Sequence, residues 1–241
     1  MPSKVSEAFT LRTYPYREAD LVVSFLTRDQ GRLRGIARSA RRQKNSFGSG
    51  LERLSLVQMH YHQKENVELV RLNSCDLVQS QFSLASDYPS GVALDYIAEL
   101  SEQLLPSQEP NEKFFRLLGS VLDQLRSQQG VWLPVTYFSL WAVRLSGFLE
   151  EMRIEDESLA IAKEMLTTPV GQLDARAWTK QTAQDLRRAL IHSVEMHIER
   201  RLMTARKLRR KRTRKFVRSK LRSRRSTKIS MPSKLNSLMQ R

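Results

Sequence analysis

Seven cations, Arg28, Arg32, Arg34, Arg38, Arg41, Arg42 and Lys44, stand close together against a single acid, Asp29. Guanidinium and ammonium groups of one sign suit nucleic-acid phosphates, where they displace condensed counterions. On an extended strand Arg32, Arg34 and Arg38 share one parity and Leu33 and Ala37 the other, so the arginines project from one face. A solvated surface is the bland reading of a charge run. The single sign and the strand parity favour phosphate contact. Tyr14, Tyr16 and Phe47 are candidate platforms for stacking bases, and each fits core or loop packing equally well.

Other constellations argue against catalysis. A phosphate-cradling P-loop needs a Gly-rich turn ending in Gly-Lys-Ser or Gly-Lys-Thr, and Gly48-Ser49-Gly50 lacks the lysine. His60 and His62 share one side of an expected strand but have no third metal ligand nearby, while His192 and His197 diverge on a helix. Glu150, Glu151, Glu155, Asp156 and Glu157 crowd together without the separated spacing of a metal-dependent nuclease site, and read as a solvated acidic loop. Cys75 is the only cysteine, which excludes an intramolecular disulfide and a thiolate-rich metal site and fits a reducing compartment. It reads as a buried or half-buried residue at a strand end. No catalytic residue, cofactor, metal or small-molecule substrate is expected.

The elements that must position the cations follow from periodicity. Phe9 and Leu11 alternate with polar neighbours, and Leu21 to Thr27 is a β-branched and aromatic run of strand length. Arg28-Asp29-Gln30-Gly31 supplies turn chemistry before alternation resumes at 32–38, which predicts a hairpin. Leu54 and Leu56 open a fourth strand to His62; Val67, Leu69 and Leu72 mark a fifth. Five short strands before residue 80 predict a small closed barrel of the oligonucleotide-binding (OB) type.

After Cys75 the period becomes helical. Val92, Tyr96, Leu100 and Leu104 predict a helix started by Asp87 and Pro89, and Phe114 to Leu125 predict a second with Asn111 as N-cap. A third is predicted from Pro134 to Ser146, stopped by Gly147, and a last from near Thr179, with Leu186, Leu190, Val194, Ile198 and Leu202 on one face. The stretch 150–177 reads as a short helix between loops. The fold class is therefore α+β: a barrel over 1–80, a helical domain over 81–206 and a basic tail over 207–241.

The chain has 241 residues and a formal charge of +16. Fifteen of its 41 Lys and Arg fall between Lys207 and Arg241, where no acid occurs, so the body is nearly neutral. Such a tail is expected to be disordered at its end and to act as an electrostatic tether. Met1 to Phe9 lacks the apolar stretch of a secretion signal, and no window approaches the ~20 apolar residues of a membrane span. A cytoplasmic location, with no membrane partner, is expected.

The residues from Glu7 to Val23, followed by Leu26-Thr27-Arg28-Asp29-Gln30-Gly31, resemble the amino-terminal domain of the RecO family of bacterial recombination mediators. So do Ala37-Arg38-Ser39-Ala40-Arg41-Arg42, where family members tend to carry Ala-Lys-Gly-Ala-Arg-Arg, Leu51-Glu52, and Leu140 to Phe148, similar to the family's helix ending in Leu-Gly-Phe. The resemblance implies binding of single- and double-stranded DNA and annealing of complementary strands. It further implies a complex with RecR, contact with the C-terminal tail of the single-strand-binding protein, loading of RecA, and residence at the nucleoid. Many relatives carry a four-cysteine zinc module after the Leu-Gly-Phe position. This chain has no cysteine there, so that site is not expected; Arg53, where relatives often have proline, and the long basic tail are further departures. The alternative reading is an OB-fold RNA-binding protein, and a metal-dependent nuclease is the rival among enzymes.

Overall fold

The computed structural model describes residues 3–64, 67–127, 130–173 and 176–209. Five strands, β1 (Lys4–Tyr16), β2 (Asp20–Thr27), β3 (Gly31–Ala37), β4 (Leu56–His62) and β5 (Leu69–Gln79), close into a barrel in the order β1-β2-β3-β5-β4. All pairs are antiparallel except β3 with β5. This is the expected OB-type barrel. The expected hairpin forms with Thr27 facing Gly31. Gly31 takes φ 71°, open to glycine without steric cost, and the Thr27 hydroxyl accepts the Gln30 N–H at 2.9 Å while donating to the Gly31 carbonyl at 2.8 Å. Several strand boundaries differ from the sequence reading: β3 ends at Ala37, short of Arg38, and β5 begins at Leu69, past Val67. Leu54 sits at φ 57° in the bend before β4, and β5 runs on to Gln79, so Cys75 lies inside a strand and not at its end.

Period-2 alternation sends side chains to two separate cores. Ala8, Val23, Phe25, Leu33, Met59, Tyr61 and Leu72 fill the barrel. Phe9, Leu11, Leu26 and Leu54 point the other way and are buried in the core of the helices. Phe9 meets Phe115 with ring centroids 4.8 Å apart. Residues up to Leu208 consequently form one compact unit.

The helices are α1 (Phe82–Ser86), α2 (Tyr88–Leu104), α3 (Glu112–Ser127), α4 (Trp132–Leu145), α5 (Asp156–Thr167), α6 (Gln184–His197) and α7 (Met203–Arg209). Asp87 caps α2 by accepting the Ser90 N–H at 3.1 Å, and Asn111 caps α3 by accepting that of Phe114 at 3.0 Å. The single last helix expected from Thr179 is two. Thr179 and Thr182 bond one another in a turn before α6, and Glu199 at φ 54° ends it. The chain restarts as α7 because buried Glu99 of α2 accepts the N–H groups of Met203 and Thr204, each at 2.9 Å. A carboxylate at a helix N-terminus satisfies donors that otherwise lack partners. Among the described residues, no helix is long and apolar enough to cross a membrane.

Cys75 is buried and its thiol donates to the Phe47 carbonyl at 3.3 Å. Burial first, and Asp76 second, push the thiol up to about 11. The unfolded thiol ionises near 9, so the folded state holds a proton that the unfolded state gives up. The contribution to stability is complete below about pH 9 and is lost as pH rises towards 11. Urea midpoints measured from pH 8 to 11 should therefore fall more steeply for the native sequence than for Cys75→Ala. Equal slopes would remove the thiol from this account.

Candidate nucleic-acid interface

The seven cations separate into two groups at Ile36. Arg28, Arg32 and Arg34 meet groups outside the run. Arg28 pairs with Glu7 of β1 at 3.2 Å and with Glu112 of α3 at 3.7 Å. Arg32 donates through Nε to the Leu105 carbonyl at 2.8 Å and through Nη2 to the Ser107 hydroxyl at 3.0 Å. Burial first, and the charge of Arg34 second, lower its pKa. Arg34 pairs with Glu102 of α2 at 3.3 Å, and the Glu102 side chain is 2% exposed. Both Glu102 oxygens also lie 2.8 Å from the Tyr14 hydroxyl, which donates to them. Burial, then this carboxylate, raise the Tyr14 phenol above its ordinary value. Gly31 completes the seam, since a Cβ there would lie 2.0 Å from the Glu109 carbonyl oxygen.

The other four cations occupy the loop after β3. The Ser39 N–H donates to Asp20 at 2.8 Å, the Arg41 N–H to the Ala19 carbonyl at 3.0 Å, and Arg41 Nη1 to the Glu18 carbonyl at 3.1 Å. These bonds fasten the loop to the β1–β2 turn. Ser39 takes φ 55° at the position where the resembling motif carries glycine. Arg38, Arg42 and Lys44 are exposed and make no side-chain hydrogen bond or ion pair with the described residues. They are cations held on a rigid rim with their charge available to solvent.

Three exposed cations that the sequence reading did not select adjoin this face. Arg12 is opposite Ser24 and has its guanidinium 5.3 Å from the Tyr14 ring centroid. Arg17 lies 5.3 Å from the Tyr16 ring in the turn that holds the loop. Arg71 of β5 is paired with Ile36 of β3. Only the barrel register reveals their proximity, so no local pattern marks them. Of the three candidate platforms, Phe47 is buried in the barrel core and cannot stack on a base. Tyr14 is half-buried, and Tyr16 is 37% exposed.

His60 Nε2 lies 2.8 Å from Asp76, and the acidic stretch runs into α5, where the Glu155 N–H donates to Asp185 at 2.7 Å. Among the described residues, no three His, Cys, Asp or Glu side chains are grouped to hold a metal ion. Arg53 pairs with Asp95 of α2, which also meets Lys207 at 3.5 Å. Lys207 and Leu208 thus belong to the compact unit and not to the tail. The expected disorder of the tail lies outside the described residues.

A five-stranded OB-type barrel, with its outer wall built into a helical body and a cationic loop on its rim, is the class that the fold and site define. Family models place it further. Recombination protein O N terminal matches residues 1–81, and Recombination protein O C terminal matches residues 85–152. A DNA repair protein RecO from Koribacter versatilis (strain Ellin345) is 39% identical over 235 residues, covering 83% of this chain and 96% of that protein. Another, from Syntrophobacter fumaroxidans, is 35% identical over 125 residues, 52% of this chain and 49% of that protein. The chain belongs to the RecO family of DNA repair proteins.

Proposed function

We propose that this protein binds single- and double-stranded DNA, anneals complementary strands and, with RecR, helps load RecA on DNA coated with single-strand-binding protein. The observation that carries this reading is the rim loop, where Arg38, Arg42 and Lys44 stand exposed and without an acidic partner among the described residues. Cations so placed replace counterions around phosphates and lower the repulsion between two strands brought together. No covalent step is needed, and the protein works as a mediator and not an enzyme. The helical body is the docking partner for RecR and for the C-terminal tail of the single-strand-binding protein. The site of action is the cytoplasm, at the nucleoid. DNA repair relatives favour DNA over RNA as the ligand.

The test is annealing of complementary strands, each coated with single-strand-binding protein. Pairing faster than in a protein-free control is the expected result, and equal rates would overturn the reading. The tail makes a separate contribution. Truncation belongs after Arg209, because Lys207 pairs with Asp95 and Leu208 packs on the helical core. Without the fragment after Arg209 the melting temperature should hardly move, while DNA affinity falls more at low salt than at high salt, where the Debye length is short. Equal affinity at every salt concentration would show that the barrel acts alone.

A further inference from the structure

At the edge of the cationic face lies an open cleft of about 440 Å³ lined by His62, Lys64, Val67, Leu69 and Arg71. Register places it beside the rim loop: Arg71 pairs with Ile36 and Leu72 with Ala37, the last residue of β3 before Arg38, across the parallel β3–β5 ladder. Its volume falls within the ~300–1,000 Å³ of small-molecule sites. Its chemistry is mixed in a particular way. Val67 and Leu69 are 42% and 37% exposed, apolar surface that the barrel leaves uncovered. Lys64 and Arg71 are exposed beside them, and no carboxylate is among the described residues lining the cleft.

An apolar floor edged by cations suits a ligand that carries apolar surface and negative charge together, and on a DNA-binding face an unstacked base with its own phosphate is that ligand. A duplex offers phosphates but keeps its bases stacked, so it can use the edge of the cleft and not its floor. We propose that the cleft captures one nucleotide of a single strand, with the base against Val67 and Leu69 and the phosphate on Lys64 and Arg71. This rests on the DNA-binding reading above and adds a means of telling single from double strands. The exposed rim loop meets phosphates, which both forms of DNA present, and does not test whether a base is free of its stack.

The experiment compares three probes: an oligothymidylate of ~16 nucleotides, matched to the upper site size of one OB barrel, an abasic oligonucleotide of the same length, and a duplex of that length. The native protein should bind the oligothymidylate about tenfold more tightly than the abasic chain, from capture of a base. The double variant Val67→Ser, Leu69→Ser should abolish that difference and leave duplex binding unchanged. Both side chains are substantially exposed, and an unchanged circular dichroism spectrum verifies the fold. Lys64→Ala with Arg71→Ala should weaken binding of the oligothymidylate and the abasic chain alike. Equal binding of these two probes by the native protein, or an undiminished preference in the serine variant, overturns the cleft while DNA binding itself stands. Failure of the native protein to bind any of the three probes overturns the DNA-binding reading as well.

Discussion

A variant carrying Arg38→Glu, Arg42→Glu and Lys44→Glu should fold normally and lose about a hundredfold in affinity for single-stranded DNA at ~0.1 M salt. The figure follows from counterion release. Each phosphate contact contributes ~0.7 to the log-log salt slope on single strands, so three lost contacts flatten it by about 2. Folding should survive because none of the three side chains has a hydrogen-bond or ionic partner among the described residues. Arg34 has no place in this variant. Its reversal would set a second carboxylate against buried Glu102, and any loss of binding would then report on the seam. Titrations at several salt concentrations decide the matter: an unchanged affinity and slope in a folded triple variant would remove the rim loop from the interface.

Replacing Phe9 by alanine should cost ~3–5 kcal/mol and destabilise barrel and helices together. Phe9 is 3% exposed, belongs to a strand of the barrel, and yet packs on Phe115 in the helical core. The chain carries separate reporters for its two parts. Trp132, Trp141 and Trp178 all pack against the helical core, while Cys75 is buried inside the barrel. In urea, tryptophan fluorescence and thiol labelling should give one coincident midpoint for the native protein and one coincident, lower midpoint for the variant. Two separated midpoints would mean that the shared wall does not couple the parts.

What could be read in the sequence was what depends on near neighbours. The hairpin at 28–31, the caps Asp87 and Asn111, and the parity of Arg32 and Arg34 rest on interactions a few residues long, whereas Arg38 falls past the end of the strand. Leu21 to Leu26 lost clean alternation for a physical reason, since Val23 and Phe25 face the barrel interior and Leu26 faces the helices. The division of the cations was not legible. Glu102, Leu105 and Ser107, which hold Arg34 and Arg32, are 68 to 75 residues away along the chain. The break between α6 and α7 was hidden similarly, because Glu99, which starts α7, is more than a hundred residues distant. Phe47 stood between two readings until the closed barrel took its ring into the core.

On the ribosome the barrel is finished before its cover exists. Its last strand ends at Gln79, and the core that buries Phe9, Leu11, Leu26 and Leu54 draws on helices α2 to α4, the last of which ends at Leu145. At bacterial elongation rates the intervening residues take roughly 3 to 13 seconds to appear. Throughout that interval an apolar wall faces water on a nascent chain, a substrate for a chaperone that shields such surfaces and a seed for aggregation without one. Slow codons between residues 80 and 145 would prolong the exposure. They would lower the yield of folded protein while leaving the stability of each finished molecule untouched.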